Sequence, residues 1–232
     1  MDAARIAALL APFLGEYEEL NAPALFASIS TYIDILVRWN ARINLTAIRD
    51  PEQIVTRHFG ESLFVARRLF PRGTVVVGCP AGQSPAAAGI SPVALGDVGS
   101  GAGFPGIPIK LWSPNISLTL IESNHKKATF LRELTRALTL TDINIQNDRA
   151  ESLAPHSFDM VTLRAVECFE TILPIAANLL RPAGKLALLI GSAQEPQARL
   201  VLPSLLWSAP IPIPNSSSRI LLTSKSSALA GT

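Results

Sequence analysis

The sequence is poor in the residues that build metal sites and disulfide frameworks. Its 232 residues include two cysteines and three histidines. Cys79 and Cys168 lie far apart with no C-x-x-C motif, and His58, His125 and His156 lack the spacing of metal ligands. The pattern predicts free thiols in a reducing compartment and no structural zinc site.

Long hydrophobic runs are also missing. No apolar run reaches the roughly 18 residues that a membrane span needs. The apolar stretch 6–14 is interrupted by Pro12 and followed by Glu16, Glu18 and Glu19, with no cleavage-like site. A signal peptide is therefore not predicted, and we expect a cytoplasmic protein without membrane contact.

Charge of either sign is scarce, since Asp, Glu, Lys and Arg make up 16% of the chain and apolar residues 48%. This is the composition of a globular protein that buries a substantial core. The net charge of +2 permits a nucleic-acid partner but does not require one, so any basic surface must be local.

The chain does contain a clear change of pattern. Residues 1–70 have helical periodicity and predict an N-terminal helical cap, with a helix start signal at Asp50-Pro-Glu-Gln53. Residues 71–92 are rich in Gly, Ala, Pro and Ser and predict a loop or insertion. Residues 93–232 alternate short apolar runs with amphipathic stretches, which favours a parallel sheet with helices on both faces. The predicted strands are 93–98, 117–121, 143–146, 160–163 and 185–190, and the clearest helix is 126–138.

The C-terminal end predicts an antiparallel hairpin. Its arms are residues 207–213 and 219–224, joined by a polar turn, and Pro210 and Pro212 are tolerable at a sheet edge. A parallel sheet finished by such a hairpin is the arrangement of class I methyltransferases. We therefore predict an α/β, class I (Rossmann-like) fold: a mostly parallel twisted sheet with a C-terminal antiparallel hairpin and an N-terminal helical cap.

The stretch Leu95–Gly106 predicts a strand, a tight turn and a helix. Its glycines let backbone N–H groups approach a ligand, and Glu122 ends the next apolar run, where a carboxylate can bind ribose hydroxyls. The G-x-G-x-x-G spacing from 101 to 106 also fits a dinucleotide, and a third possibility is a turn that binds no ligand. Asp97 at the strand end and Pro105 in the turn favour S-adenosylmethionine, which has no phosphates.

Residues after the later strands are further candidates, because a doubly wound sheet binds its ligand at the carboxyl ends of its strands. Ala150 and Glu151 follow the third strand and are placed to meet adenine, although Glu151 fits a helix N-terminus equally well. Arg164 ends the fourth strand, where a methyl acceptor normally lies; the alternative is a surface arginine paired with Glu167.

Two other methyl-transfer chemistries are disfavoured. Cys168 lacks the Pro-Cys context of pyrimidine-C5 enzymes, and no Asn/Asp-Pro-Pro-aromatic run follows strand four. A ring nitrogen with its own lone pair needs no base, so its methylation requires alignment and tolerance of the transferred charge.

Several motifs taken together resemble the small-subunit ribosomal RNA methyltransferase G family, also called glucose-inhibited division protein B. They are Trp39–Thr46, His58–Leu63, Asp97–Pro108, Glu122–Lys127 with Phe130-Leu131, Arg149–Glu151 and Arg164-Ala165. The resemblance implies methyl transfer from S-adenosylmethionine to N7 of a guanine in small-subunit (16S) rRNA, giving 7-methylguanosine, in the bacterial cytoplasm. It also implies a cofactor pocket lined by Gly99, Phe104, Glu122, Ala150, Glu151 and Arg164.

The same resemblance implies rRNA or a 30S particle as partner, and we expect a monomer without a metal. No catalytic residue is assigned, and Arg164 is the candidate nearest the acceptor. Three positions depart from the family pattern: Glu61 stands where Asp is usual, Leu163 where Ser is common, and Ile190 where a Lys precedes the glycine. Loss of that lysine keeps open an S-adenosylmethionine-binding ribosome assembly factor without turnover. An NAD(P)-dependent oxidoreductase is the remaining alternative.

Local basic patches could meet RNA phosphates. Guanine N7 is hard to reach in an A-form helix, so the target base is expected in a loop or splayed out. The candidate basic residues are Arg38, Arg42, Arg49 and Arg57 in the cap and Lys126, Lys127, Arg132 and Arg136 in the helix after strand two.

Overall fold

A computed structural model describes residues 1–15, 22–71, 91–164 and 168–225, and an eight-stranded sheet forms its centre. The strands are β1 (Ala94–Val98), β2 (Ser117–Ile121), β3 (Ile143–Gln146), β4 (Phe158–Arg164), β5 (Leu180–Gly191), β6 (Leu206–Trp207), β7 (Ile211–Pro212) and β8 (Arg219–Lys225). Their order is β3-β2-β1-β4-β5-β8-β6, and β7 also pairs with β8. Strands β1 to β5 are parallel and β8 is antiparallel to β5, which confirms the predicted mixed sheet.

Helices connect the strands and precede them. The connecting helices are α5 (Gly106–Trp112), α6 (His125–Ala137), α7 (Phe169–Asn178) and α8 (Glu195–Val201), after the N-terminal α1 (Ala3–Leu14), α2 (Ala22–Ile43), α3 (Pro51–Gln53) and α4 (Glu61–Leu69). Between α3 and α4 the backbone forms a π-helical turn, Ile54–Gly60, that the sequence pattern did not predict. Asp50 caps α3 by accepting a hydrogen bond from the Gln53 N–H at 2.9 Å, which confirms the start signal.

The two faces of the sheet are covered by different helices. Side chains alternate along each strand, so Leu189 faces one apolar cluster and Leu188 the other. The first cluster joins the sheet to α1, α2, α4, α5 and α6, and the second joins it to α7 and α8. The N-terminal helices therefore share most of their core with the sheet, and Phe13 and Phe64 form a small third cluster with Ile213.

The C-terminal hairpin differs from its prediction in one arm. The arm expected at 207–213 is two short pieces, β6 and β7, and both pair with the outer edge of β8. Pro210 lies in the gap between β6 and β7 and has no N–H to donate to β8, whereas Pro212 lies within β7. The hairpin therefore supplies one full strand, β8, as the neighbour of β5.

Part of the predicted organisation lies outside the described residues. Residues 72–90 include most of the loop expected at 71–92 and also Cys79, and Glu167 falls in another undescribed segment. The division into cap, insertion and methyltransferase domain stays a prediction. None of the helices in the described ranges is long and apolar enough to cross a membrane.

A substitution at Gly60 tests how tightly the N-terminal helices pack. A Cβ at Gly60 would lie 2.6 Å from the Phe13 ring, whereas one at Gly191 would come no closer than 3.7 Å to Gln194. Alanine normally favours a helix over glycine by about 1 kcal/mol, but overpacking costs about 1–3 kcal/mol, so Gly60→Ala is expected to lower the free energy of unfolding. Urea denaturation of Gly60→Ala beside Gly191→Ala measures this. A Gly60→Ala protein as stable as wild type would contradict the packing described here.

Candidate functional site

A cavity of about 650 Å³ opens at the carboxyl ends of β1, β2, β3 and β4. Here the sheet order turns back between β1 and β4, which is where doubly wound sheets bind their ligands. The apolar part of the wall includes Val98, Ile121, Ile172 and Ile175, and the polar part includes Glu122, Lys127, Arg149 and Arg164. The lining combines a flat apolar surface with a few charged groups, as small-molecule sites do.

The glycine-rich turn after β1 is held by the carboxylate that ends β2. Glu122 Oε2 accepts a hydrogen bond from the Gly101 N–H at 2.9 Å, and Oε1 accepts one from the Asn124 N–H at 2.8 Å. The Glu122 residue is 7% exposed and lines the cavity. Each carboxylate oxygen has a second lone pair, so Glu122 can support the turn and still accept hydrogen bonds from a ligand.

All six predicted cofactor residues line this cavity. They are Gly99, Phe104, Glu122, Ala150, Glu151 and Arg164. Gly99 and Glu151 are exposed at the rim, whereas Phe104 and Ala150 are buried in the wall. Glu151 lies in a short 3₁₀ turn, Ala150–Ser152, and not at the start of a long helix.

Phe104 joins the glycine-rich turn to the N-terminal helices. Its ring is stacked between Tyr32, at a centroid distance of 5.1 Å, and His58, at 4.7 Å. Phe59 meets the same ring edge-on at 5.1 Å. The Tyr32 hydroxyl donates a hydrogen bond to the Ala102 carbonyl, and burial raises the pKa of Tyr32 well above its usual value, so the hydroxyl keeps its proton.

Gly103 makes this close approach possible. Its φ is +91°, and a Cβ there would lie 2.5 Å from the Tyr32 hydroxyl oxygen. Only glycine satisfies both the backbone conformation and the contact.

Arg164 is buried, so its predicted alternative as a surface arginine is wrong. Its side chain is 8% exposed and forms an ion pair of 3.0 Å with Glu61, whose side chain is 4% exposed. The guanidinium also lies 5.9 Å from the centre of the Phe104 ring. Burial lowers the pKa of Arg164 to about 10, so it stays charged at neutral pH.

The π-helical turn supplies carbonyl acceptors for this buried charge. Arg164 donates to the Arg57 carbonyl at 2.6 Å and more weakly to the His58 carbonyl at 3.4 Å. A π-helix shifts the backbone hydrogen-bond register, and such turns are frequent at functional sites. The turn therefore connects the cap to the end of β4 through backbone atoms as well as through Glu61.

His58 lies in the same turn and lines the cavity. Its Nε2 is 2.8 Å from the Thr46 hydroxyl, and its buried Nδ1 has no hydrogen-bond partner among the described residues. Burial lowers the pKa of His58 to about 3, with help from the nearby guanidinium groups of Arg164, Arg57 and Arg219. His58 is therefore neutral at physiological pH.

Asp97 lies behind the turn and does not face the ligand. One oxygen accepts from the Thr162 hydroxyl at 2.7 Å and the other from the Gly106 N–H at 3.3 Å. Asp97 is 1% exposed and does not line the cavity described above. Asp97, which favoured adenosylmethionine in the sequence analysis, thus stabilises the turn from inside the protein.

The sequence analysis missed part of this lining. Thr46, Ile172 and Ile175 belong to it, and Tyr32 supports it from α2. Only the Asn40–Thr46 segment offered a signal: Asn40 breaks the apolar stripe of α2, and it exchanges two hydrogen bonds with the Thr46 backbone. Among the residues described, no group of three or more His, Cys, Asp or Glu side chains could hold a metal ion.

The sequence comparisons of this chain with known proteins all point to one family. The model of the rRNA small subunit methyltransferase G family matches residues 26–83 and 85–202. Ribosomal RNA small subunit methyltransferase G of Halorhodospira halophila is 42% identical over 183 residues, which cover 78% of this chain and 77% of the relative. Its counterpart from Xanthomonas axonopodis pv. citri is 40% identical over 169 residues, which cover 72% and 70%.

Solved structures agree on the fold. A ribosomal protein L11 methylase from Lactobacillus delbrueckii subsp. bulgaricus superposes with a TM-score of 0.54 at 17% identity, covering 72% of this chain and 79% of that one. A SAM-dependent methyltransferase from Aquifex aeolicus gives a TM-score of 0.50 at 14% identity, with 57% and 81% covered. These likenesses confirm the predicted class I methyltransferase fold.

The buried carboxyl of Asp97 gives a pH prediction. Burial raises the pKa of Asp97 from 3.8 to about 6, so the folded protein binds more protons than the unfolded chain between these values. The contribution of Asp97 to stability therefore falls as pH rises from about 4 to 6, by about 3 kcal/mol. Asp97→Asn keeps an oxygen for Thr162 but cannot ionise, so it does not share this loss of stability. As pH rises across this range, the free energy of unfolding of the variant is expected to increase relative to that of wild type.

Urea denaturation of both proteins at pH 4.5, 5.5 and 7 measures that difference. Taking the difference cancels the contribution of His58, whose lowered pKa has the opposite effect on stability. A difference that stays constant with pH would contradict the raised pKa of Asp97.

Proposed function

The chain belongs to the rRNA small subunit methyltransferase G family, and on this premise we propose that it transfers a methyl group from S-adenosylmethionine to N7 of a guanine in 16S rRNA. Family membership carries the enzyme class, the cofactor and the small-subunit rRNA substrate. The guanine and its N7 atom are the proposed part. The observation that supports the whole most directly is the cavity at the strand ends, with Glu122 and the glycine-rich turn on one side and Arg164 on the other.

The residues of the cavity fit adenosylmethionine. Its adenosine needs an apolar slot and a carboxylate for the ribose hydroxyls, and Ile121, Ile172 and Glu122 offer both. When bound, the cofactor supplies an electrophilic methyl group on a sulfonium. We assign Gly99 and the turn to its amino-acid end, and Ala150 with Glu151 to the adenine edge.

Arg164 belongs on the acceptor side of this arrangement. It is fixed by Glu61 and by the backbone of the π-helical turn, so the guanidinium has a defined position at the end of β4. A charge-assisted donor there suits the O6 atom of a guanine, and N7 attacks with its own lone pair. No general base is needed, which agrees with His58: burial lowers its pKa to about 3, so it is a weak base, and its Nε2 is already engaged by Thr46.

The family match and the cavity lining favour the proposed reaction over the two alternatives. Ile190 stands in place of a family lysine, but it is 4% exposed, packs in the second apolar cluster and does not line the cavity. The alternative of an S-adenosylmethionine-binding assembly factor without turnover therefore has no specific support. The family match favours S-adenosylmethionine over a dinucleotide as the cofactor.

The remaining proposals concern partners and location. We propose that the substrate is the rRNA of a 30S particle or its precursor, that the protein works in the bacterial cytoplasm, and that it acts as a monomer. Exposed basic side chains on two packed helices support the RNA contact, since α2 and α6 meet through Trp39 and Phe130 at a centroid distance of 5.9 Å. Those side chains are Arg38, Arg42, Lys126, Arg132 and Arg136.

Glu122→Ala tests the cofactor assignment. The change removes the proposed ribose acceptor and leaves the Gly101 and Asn124 N–H groups without a partner. Loss of a charged hydrogen-bond acceptor costs about 1–3 kcal/mol, so affinity for adenosylmethionine is expected to fall about 5- to 150-fold. Calorimetric titration gives the affinity directly.

Glu133→Ala is the matched control, because Glu133 is an exposed carboxylate on α6 outside the cavity. It is expected to bind adenosylmethionine like wild type. If Glu122→Ala also binds normally, the ribose assignment is wrong.

The proposed reaction is tested by methyl transfer from labelled adenosylmethionine to 30S particles and to deproteinised 16S rRNA. The expected product is a single 7-methylguanosine, absent from rRNA of cells that lack the gene. Label in a different base or at a different ring atom would reject N7 of guanine. Binding of the cofactor without transfer to either substrate would reject the enzyme.

A further inference from the structure

A second cavity, of about 660 Å³, lies between the cap and the turn of the C-terminal hairpin. Its walls come from α1, the π-helical turn, the end of β5 and the loop before β8. The lining residues are Phe13, Thr56, Arg57, Glu61, Gly191, Gln194, Pro214, Asn215, Ser216, Ser217, Ser218 and Arg219.

This second cavity opens at the same edge of the sheet as the first. Arg164 at the end of β4 pairs with Leu189 of β5, and Gly191 at the end of β5 pairs with Arg219 at the start of β8, so Arg219 lies one strand further along the same edge. An ion pair links the walls of the two cavities, because Arg164 lines the first, Glu61 lines the second, and their atoms are 3.0 Å apart. The two cavities are therefore neighbours at this edge of the sheet.

The charge in the second cavity is positive. Two arginines, Arg57 and Arg219, line it with one carboxylate, Glu61, which is paired with Arg219 and with Arg164. Arg57 is exposed, and no carboxylate of the described residues comes within ion-pair distance of it. Burial lowers the pKa of neighbouring His58, and the same three guanidinium groups lower it further.

The hairpin turn adds hydroxyl groups on a fixed backbone. The Ile213 N–H donates to the Arg219 carbonyl at 3.0 Å, and the Arg219 N–H donates to the Ser216 hydroxyl at 3.1 Å. Ile213 also packs against Phe13 and Phe64, which ties the turn to the cap. Ser217 and Ser218 are consequently presented to the cavity by a turn that is held at both ends.

We propose that the second cavity binds a backbone phosphate of the RNA next to the methylated nucleotide. The proposal rests on the proposed function and extends it from the target base to the strand that carries it. Guanidinium groups bind phosphate oxygens through paired charge-assisted hydrogen bonds, and serine hydroxyls complete such sites. A phosphate held there would fix the register of the strand while the target base occupies the first cavity.

The experiment measures inhibition of methyl transfer to 30S particles by guanosine, by guanosine 3′,5′-bisphosphate and by inorganic phosphate. With wild type, the bisphosphate is expected to inhibit at a concentration about tenfold lower than guanosine, the effect of one charged hydrogen-bonded contact. Arg57→Ala is expected to remove this preference and to raise KM for 30S particles about tenfold, with unchanged affinity for adenosylmethionine. The Arg57 carbonyl that holds Arg164 is retained in this variant.

Arg181→Ala is the matched control. Arg181 is an exposed arginine near the start of β5, at the opposite end of the sheet, and its pair with Asp159 is exposed. Its loss is expected to leave the bisphosphate preference intact. The inference is overturned if Arg57→Ala behaves like Arg181→Ala, or if inorganic phosphate inhibits as well as the bisphosphate.

The failure of this inference differs from failure of the proposed function. If wild type transfers no methyl group to 30S particles, the proposed function fails. If wild type does transfer it and guanosine inhibits as strongly as the bisphosphate, only the phosphate site fails. Restored preference in Arg57→Lys would assign the effect to the charge at this position.

Discussion

The site depends on the stacking of Phe104 between Tyr32 and His58. This contact joins three parts of the chain that are distant in sequence: helix α2, the π-helical turn and the glycine-rich turn after β1. Each aromatic pair contributes about 0.5–1.5 kcal/mol beyond its burial, and the Tyr32 hydroxyl adds a hydrogen bond to the Ala102 carbonyl. A turn rich in glycine has high conformational entropy, and the N-terminal helices remove that freedom by packing on it.

The same helices determine where charge lies at the strand ends. A buried guanidinium is tolerated only when its donors are satisfied, and Arg164 finds acceptors in Glu61 and in the carbonyls of the π-helical turn. Glu61 also lies 3.0 Å from Arg219 at the start of β8. One carboxylate at the start of α4 therefore organises two arginines from two different strands.

The sequence allowed much of the fold to be predicted and less of the site. Strands β2 and β3 were predicted to the residue because their apolar runs are short and bounded by polar residues. Residues within the motifs, such as Gly99, Glu122 and Glu151, do line the cavity, since motif spacing reports local backbone geometry, and their contact with the cofactor stays a prediction. Tyr32 and Ile175 could not be identified, because on their own helices they are ordinary apolar positions. Asp97 was expected near the ligand, but burial behind the turn gave it a supporting role.

The sequence by itself determined the alternation of strands and helices, the hairpin at the end and the family, because these depend on periodicity and on motifs within short stretches. Only the tertiary structure decided that Arg164 is buried, that Glu61 is its partner and that a second polar cavity adjoins the first. Those features need residues about a hundred positions apart to meet. Neither hydrophobic period nor motif spacing carries information on such contacts, because they arise when the N-terminal helices pack against the sheet.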